Sequence, residues 1–308
     1  MAGQITSTGM TQFQRFVGRT LVLALLAAVA TACAGKNDNI PVGVGEPDKF
    51  LFEKGKAALD EKKWYTAREY FRRIIDSYPQ SELRPEAKLM IGDSYLGEGG
   101  GESLVLSANE FREFLTFYPT NARSDYAQYR LGMVYFKQMR APQRDQTETR
   151  EAVREFETFL ERYPNSALRP EVESKLREAR DRVSMAEYQV GVFYFKQRWY
   201  PGAIDRLRAL LKSDPTFTYR DGAYYYLAEA LLKVRLDAEA LPLLEKLVAE
   251  FEQSEFLEKG KLRLDELKAN MAKAGAPPAS PPQATTPTPP ATTPANPPKT
   301  GAAVQPKP

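Results

Sequence analysis

FRRIIDSYP (Phe71–Pro79), FREFLTFYP (Phe111–Pro119) and FETFLERYP (Phe156–Pro164) are three copies of one nine-residue pattern. Each opens on phenylalanine, carries apolar residues three and four positions later, and closes on Tyr-Pro. LRALLKSDP (Leu207–Pro215) and LEKLVAEFE (Leu244–Glu252) are weaker copies. Four residues before each copy stands a small side chain, namely Ala67, Ser107, Ala152, Ala203 and Ala240. Further upstream comes a second small residue, Gly55, Gly92, Gly132, Gly191 or Ala228. The spacing of three and four marks the apolar face of a helix. Small residues let two antiparallel helices approach closely, and a proline after the second helix stops it. Each unit therefore predicts a helical hairpin that must be covered by its neighbour.

The units are unevenly spaced. Gly97–Gly101 and Ala141–Asp145 read as loops inside hairpins two and three. Between repeats three and four there is no loop: Val172, Leu176, Ala179, Val183, Ala186, Val190 and Phe193 alternate steps of four and three. That predicts one helix from about Pro170 to Gln197, roughly 40 Å long at 1.5 Å per residue. The expected fold is all-α, a solenoid of five helical hairpins with a long helix joining repeats three and four. Ser81–Glu86 and Ser166–Glu171 share the pattern S-x-L-R-P-E, and read as helix starts.

Outside the repeats the composition changes. Arg15 and Arg19 precede the apolar run Leu21–Ala30, followed by Ala30-Thr31-Ala32-Cys33, which predicts an export signal over residues 1–32. Ordinary cleavage after Ala32 and lipidation of Cys33 both fit. An unpaired cysteine in an exported chain favours lipidation. Residues 33–47 then read as a lipidated tether, 48–170 as repeats one to three, and 171–271 as the long helix with repeats four and five. Residues 272–308 are rich in Pro, Ala and Thr, which predicts a disordered tail of polyproline character. Its expected role is solubilisation or partner contact.

Chemistry is sparsely provided. The 308 residues contain no histidine and one cysteine, so the commonest general base is missing and a Cys-rich metal site is impossible. The formal charge of +3 is spread along the chain, with no basic cluster for nucleic acid. Acidic residues lie beside Lys and Arg on helix faces rather than in a catalytic pair. A carboxylate-based glycosidase is therefore disfavoured. The expectation is a non-enzymatic polypeptide-binding scaffold with no metal and no cofactor.

Counting from the small first-helix residues gives an expected concave lining. Phe52, Lys56, Leu89, Asp93, Tyr129, Met133, Phe136 and Lys137 line it in the first three repeats. Rings there suit extended polypeptides, though ordinary repeat packing uses the same residues. Lys137, Lys196 and Lys233 each follow the small residue by five positions. They either attract an acidic partner or answer the negative end of their helices. For docking a folded partner the candidates are Lys196, Arg198, Trp199, Tyr200, Arg206 and Lys233, since Trp, Tyr and Arg dominate interface hot spots. Trp199 also stands where repeat one has Trp64, so hairpin packing is the competing role.

Gly/Ala, Tyr, Ala, Phe and Pro fall at the signature spacings of the tetratricopeptide repeat. With a cysteine-bearing signal, a short tether, five repeats and a long inter-repeat helix, residues 33 to 268 resemble the BamD (ComL/YfiO) family of outer-membrane β-barrel assembly lipoproteins. FETFLERYPNSALRPE is the most specific stretch, and the Pro-rich tail departs from the family. The resemblance implies lipid anchoring at the periplasmic face of the outer membrane. It also implies binding to a BamA-like barrel insertase, to other lipoproteins of the assembly complex, and to unfolded outer-membrane proteins. Substrate would fall to the N-terminal repeats and partner docking to the C-terminal ones. A periplasmic adaptor of the Tol-Pal system is the alternative, but residues 34–50 are too short and too rich in Pro and Gly for its usual coiled coil.

Overall fold

The computed structural model describes residues 45–275. The signal, Cys33, nearly all of the tether and the tail from residue 276 lie outside the described residues. Among the described residues there are eleven α-helices and no strand. Helices α1 (Pro47–Asp60) and α2 (Trp64–Ser77) form the first hairpin, and α3 (Arg84–Glu98) and α4 (Gly101–Phe117) the second. Helices α5 (Ser124–Phe136) and α6 (Thr147–Arg162) form the third. The long helix α7 (Arg169–Lys196) pairs with α8 (Tyr200–Ser213), and α9 (Arg220–Lys233) with α10 (Asp237–Glu250). A last helix, α11 (Leu257–Gly275), is single. It lies outside the five-hairpin expectation and runs four residues past the expected limit of the repeats at 271.

The quoted pattern is explained by one contact repeated along the chain. A Cβ built on Gly55 would lie 2.6 Å from the Phe71 ring, on Gly92 2.8 Å from Phe111, and on Gly132 2.5 Å from Phe156. On Gly191 it would lie 2.7 Å from Leu207. Each glycine of a first helix is thus the seat for the opening residue of its second helix. All four of those large residues are fully buried. In repeat two the small residue Ser107 adds a hydrogen bond from Oγ to the Gly92 carbonyl at 2.8 Å. The interior is divided into four clusters that succeed one another along the chain, which suits a stack whose units touch only their neighbours.

The S-x-L-R-P-E segments do more than start helices. Ser81 donates to Asp48 in the first turn of α1, and Ser166 to Asp125 in the first turn of α5, each at 2.6 Å. Ser254 repeats the bond to Asp221 of α9 at 2.6 Å. The same hydroxyls accept the backbone N–H two residues on, from Leu83, Leu168 and Phe256. Every such serine therefore shapes its own turn and ties it to the preceding repeat. Between repeats two and three Glu86 and Arg123 make an ion pair instead.

Of the two expected internal loops, the glycine-rich one shrinks to Gly99 and Gly100. Both hold positive φ, which a side chain would resist. The second survives as irregular chain over 137–146, and Arg182 of α7 donates to the Arg140 carbonyl within it.

Candidate partner-binding surfaces

The expected concave lining divides on burial. Leu89 and Tyr129 are 0% and 7% exposed, and Asp93 is 8% exposed. Burial withdraws these three from any peptide-facing role. The reasons are two: Leu89 lies in the core with Phe111 and Phe114 of its own hairpin, whereas the next first helix reaches across Asp93 and Tyr129. Arg130 of α5 reaches back to the Asp93 carboxylate at 2.5 Å, and the Tyr126 hydroxyl donates to it at 2.7 Å. Burial pushes the Asp93 carboxyl above its usual range against the pull of Arg130. Glu229, at the matching position of α9, is buried and paired with Arg263 of α11. Tyr129 donates to Glu171 at the start of α7 at 2.5 Å.

Of the other expected lining residues, Phe52 packs edge-on against Phe71 with Lys56 over its outer face. Phe136 packs edge-on against Phe156 with Lys175 4.7 Å from its centroid, and Met133 is half-buried between two clusters. The row of lysines is broken, because Lys137 donates to the Leu96 carbonyl at the end of α3 at 2.8 Å. Lys196 and Lys233 stand in solvent.

The docking candidates on repeat four are presented outward. Trp199 is 55% exposed, and Arg198 turns the chain with φ +62°. Trp64 and Trp199 part company here. Trp64 lies over Gly97 of the next repeat, whereas Trp199 folds onto Gly202 of its own helix and meets Tyr194 edge-on at 4.6 Å. Tyr200 is half-buried against Phe195, and Arg206 pairs with Glu187 of α7 at 3.2 Å.

A surface that the residue count did not single out adjoins them. Of the apolar stripe on α7, Val172, Leu176 and Ala179 are buried against repeat three. Val183 and Ala186 are half-exposed, Val190 is exposed and Phe193 is 55% exposed. This half lines a groove between α7 and the loop and first turns of α6 in hairpin three. One part, of about 440 Å³, is walled by Arg144, Gln146, Val190 and Phe193. Arg150 borders both this part and a second of about 260 Å³, beside Val153, Val183 and Arg180. The Gln189 side-chain oxygen is buried at its edge without a hydrogen-bond partner. The sequence signal was present: the stripe has seven members, and repeat three covers only the first three.

Stacked hairpins with glycine-seated aromatics define a helical-repeat protein of the tetratricopeptide type, with exposed apolar and basic groups on its fourth repeat. Residues 45–241 match the YfiO family, described as outer membrane lipoprotein, and the chain belongs to that family. It is 30% identical over 230 residues to the outer membrane protein assembly factor BamD of Caulobacter vibrioides, covering 73% of this chain and 74% of that one. It is 27% identical to the BamD of Rickettsia prowazekii, covering 71% and 85%. A solved tetratricopeptide repeat protein from Parabacteroides merdae superposes with a TM-score of 0.32 at 16% identity, covering 75% of this chain and 77% of that one. So weak a superposition adds nothing to the fold already described. No described helix is long and apolar enough to cross a membrane.

Proposed function

We propose that this chain is a non-catalytic scaffold lipoprotein of outer-membrane β-barrel assembly, held by lipid on Cys33 at the periplasmic face. Its C-terminal half docks the periplasmic domain of a BamA-like insertase, and its N-terminal repeats take unfolded barrel segments along Phe52, Lys56, Met133 and Phe136. The observation that carries the docking is the bare half of the α7 stripe, Val183 to Phe193, beside exposed Trp199, Arg198 and Arg206. An apolar strip rimmed by Arg144 and Arg150 suits a partner with apolar knobs and flanking carboxylates.

The test is Val190→Asp with Phe193→Asp, both on exposed positions. Co-purification with the insertase and the level of barrels in the outer membrane should fall, while helicity and melting are kept. Intact capture of the insertase by the double variant would reject the site. A division defect with normal barrel levels would favour the Tol-Pal adaptor. For the anchor, Cys33→Ser should move the protein from the membrane pellet to the soluble fraction, and continued pelleting would rule out lipid on that residue.

A further inference from the structure

The fifth repeat breaks the pattern at one informative place. Four copies close on proline, Pro79, Pro119, Pro164 and Pro215, whereas the fifth has Glu252 there. The preceding residue, Phe251, keeps the aromatic position of Tyr78, Tyr118 and Tyr163. A cleft of about 550 Å³ opens at this turn, between the end of α10 and the start of α9. Its rings are Phe251 and Tyr219, the latter 55% exposed, with Tyr224 behind them 6.0 Å from Phe251. Its rim is acidic. Glu250 and Glu252 are exposed and make no ion pair in this structure, and the Asp221 carboxylate accepts from Ser254. Arg220 stacks on Phe251 with its guanidinium carbon 4.8 Å from the ring centroid, which fixes the ring's position.

Aromatic rings with an acidic rim are the surface that a proline-rich, lysine-bearing strand fits. Proline rings lie on aromatic faces, and lysine answers the carboxylates. This chain carries such a strand itself. Residues 276–308 contain twelve prolines, Lys299 and Lys307, and no aspartate or glutamate. Two of its segments, Pro297-Pro298-Lys299 and Pro306-Lys307-Pro308, place lysine directly beside proline. Reach is no obstacle. Helix α11 begins six residues after Phe251 and carries the chain away by roughly 28 Å over its nineteen residues. The 24 residues from Gly275 to Lys299 could span up to about 74 Å at 3.1 Å each. Return to the cleft therefore lies within the segment's span.

We propose that the Pro-Lys segments beyond residue 290 dock intramolecularly in the Tyr219–Phe251 cleft. Tethering supplies an effective concentration on the order of millimolar, so a contact too weak to hold a free peptide is populated within the chain. The cleft shares no lining residue with the α7 groove, so this docking and the insertase docking stand or fall separately.

The experiment places benzoylphenylalanine at Gln253, an exposed rim position, in the full chain and maps photo-cross-links by mass spectrometry. Links within one molecule into residues 291–308 are expected. The pair Glu250→Gln with Glu252→Gln should lower their yield about three- to tenfold, as should half-molar salt, from two screened charge contacts. Phe251→Ala should lower it further. Should that variant lose helicity, the glutamine pair, which alters only exposed side chains, still decides the matter. Links that are absent, that join two copies only, or that ignore both the glutamines and salt would overturn the proposal.

Discussion

At Gly132 one hydrogen atom separates a packed hairpin from a collision, since a Cβ there would sit 2.5 Å from the Phe156 ring. Alanine would gain about 1 kcal/mol of helix propensity, but overpacking a buried aromatic costs about 1–3 kcal/mol. The ring is fully buried and also meets Phe136 and Tyr129, so it has nowhere to yield. Gly132→Ala should therefore destabilise by up to about 2 kcal/mol. The chain contains its own remedy, because repeat five seats Leu244 where Ala228 replaces the glycine. Adding Phe156→Leu should return part of the loss, and a denaturant double-mutant cycle should show coupling of about 1 kcal/mol. Purely additive effects would refute the seat. This pairing was legible because both members recur in five copies, although their separation widens in hairpins two and three, where extra residues join the two helices. Burial of Leu89, Asp93 and Tyr129 was not. Counting from a glycine identifies a helix face, but it says nothing about how far the next repeat's Arg130 or Glu171 leans across that face.

Helix α7 shows the same limit one level up. Its length could be read from the seven-member stripe, and the expected Pro170–Gln197 is observed as Arg169–Lys196. The change from covered to bare after Ala179 could not be read, because it depends on where hairpin three ends in space. What fixes α7 against the C-terminal half is a polar junction absent from the repeat pattern. Arg177 grips the Asp214 carboxylate with both terminal nitrogens, at 2.9 and 2.5 Å, and Ser184 donates to it at 2.6 Å. Burial alone would raise the Asp214 pKa, but Arg177, Ser184 and Thr216 together hold it below the usual value. A lowered folded pKa gives stability that is present above the ordinary carboxylate range and lost as pH falls through the folded value. Asp93 has the opposite sign: its raised pKa makes its contribution to stability decline as pH rises toward that value. Acidification below about pH 4 should therefore loosen the α7–α8 junction before the α3–α5 one. Hydrogen exchange along an acid titration would show the order. Asp214→Asn should remove the difference and lower neutral-pH stability by about 1–3 kcal/mol, because partly buried Arg177 loses its two-point carboxylate and keeps only Asp181 of its own helix as an ion-pair partner. A variant as stable as the parent, with unchanged acid sensitivity, would show the junction to be incidental.

A stack of hairpins has two ends, and stability in such a stack is roughly a sum over units and their interfaces. Here α11 repeats the first-helix role and, among the described residues, has no second helix after it. Ser254 ties it to α9, Arg263 pairs with buried Glu229, and Gly260 lies under Leu247. Leu264 and Leu267 are buried, while Lys261, Asp265 and Lys268 face outward. Its outer surface is therefore largely charged, as a terminal unit requires. The spacing Leu257, Leu264, Leu267 and Met271 was visible in the sequence, but without a following FxxxL copy nothing marked it as a closing element. Ending the chain after Ser254 would remove buried Phe256, Leu264 and Leu267 from the last interface, roughly 6 kcal/mol of apolar burial at about 2 kcal/mol each. Glu229 would also be left buried without Arg263. The loss should stay local: hydrogen exchange should quicken in α9 and α10, fall off through α8, and leave α1–α6 unchanged. Uniform loss of protection from α1 onward would mean that the two halves fold as one cooperative block. In that case α7 would be a rigid strut, and its bare stripe could not adjust to a partner independently of the N-terminal repeats.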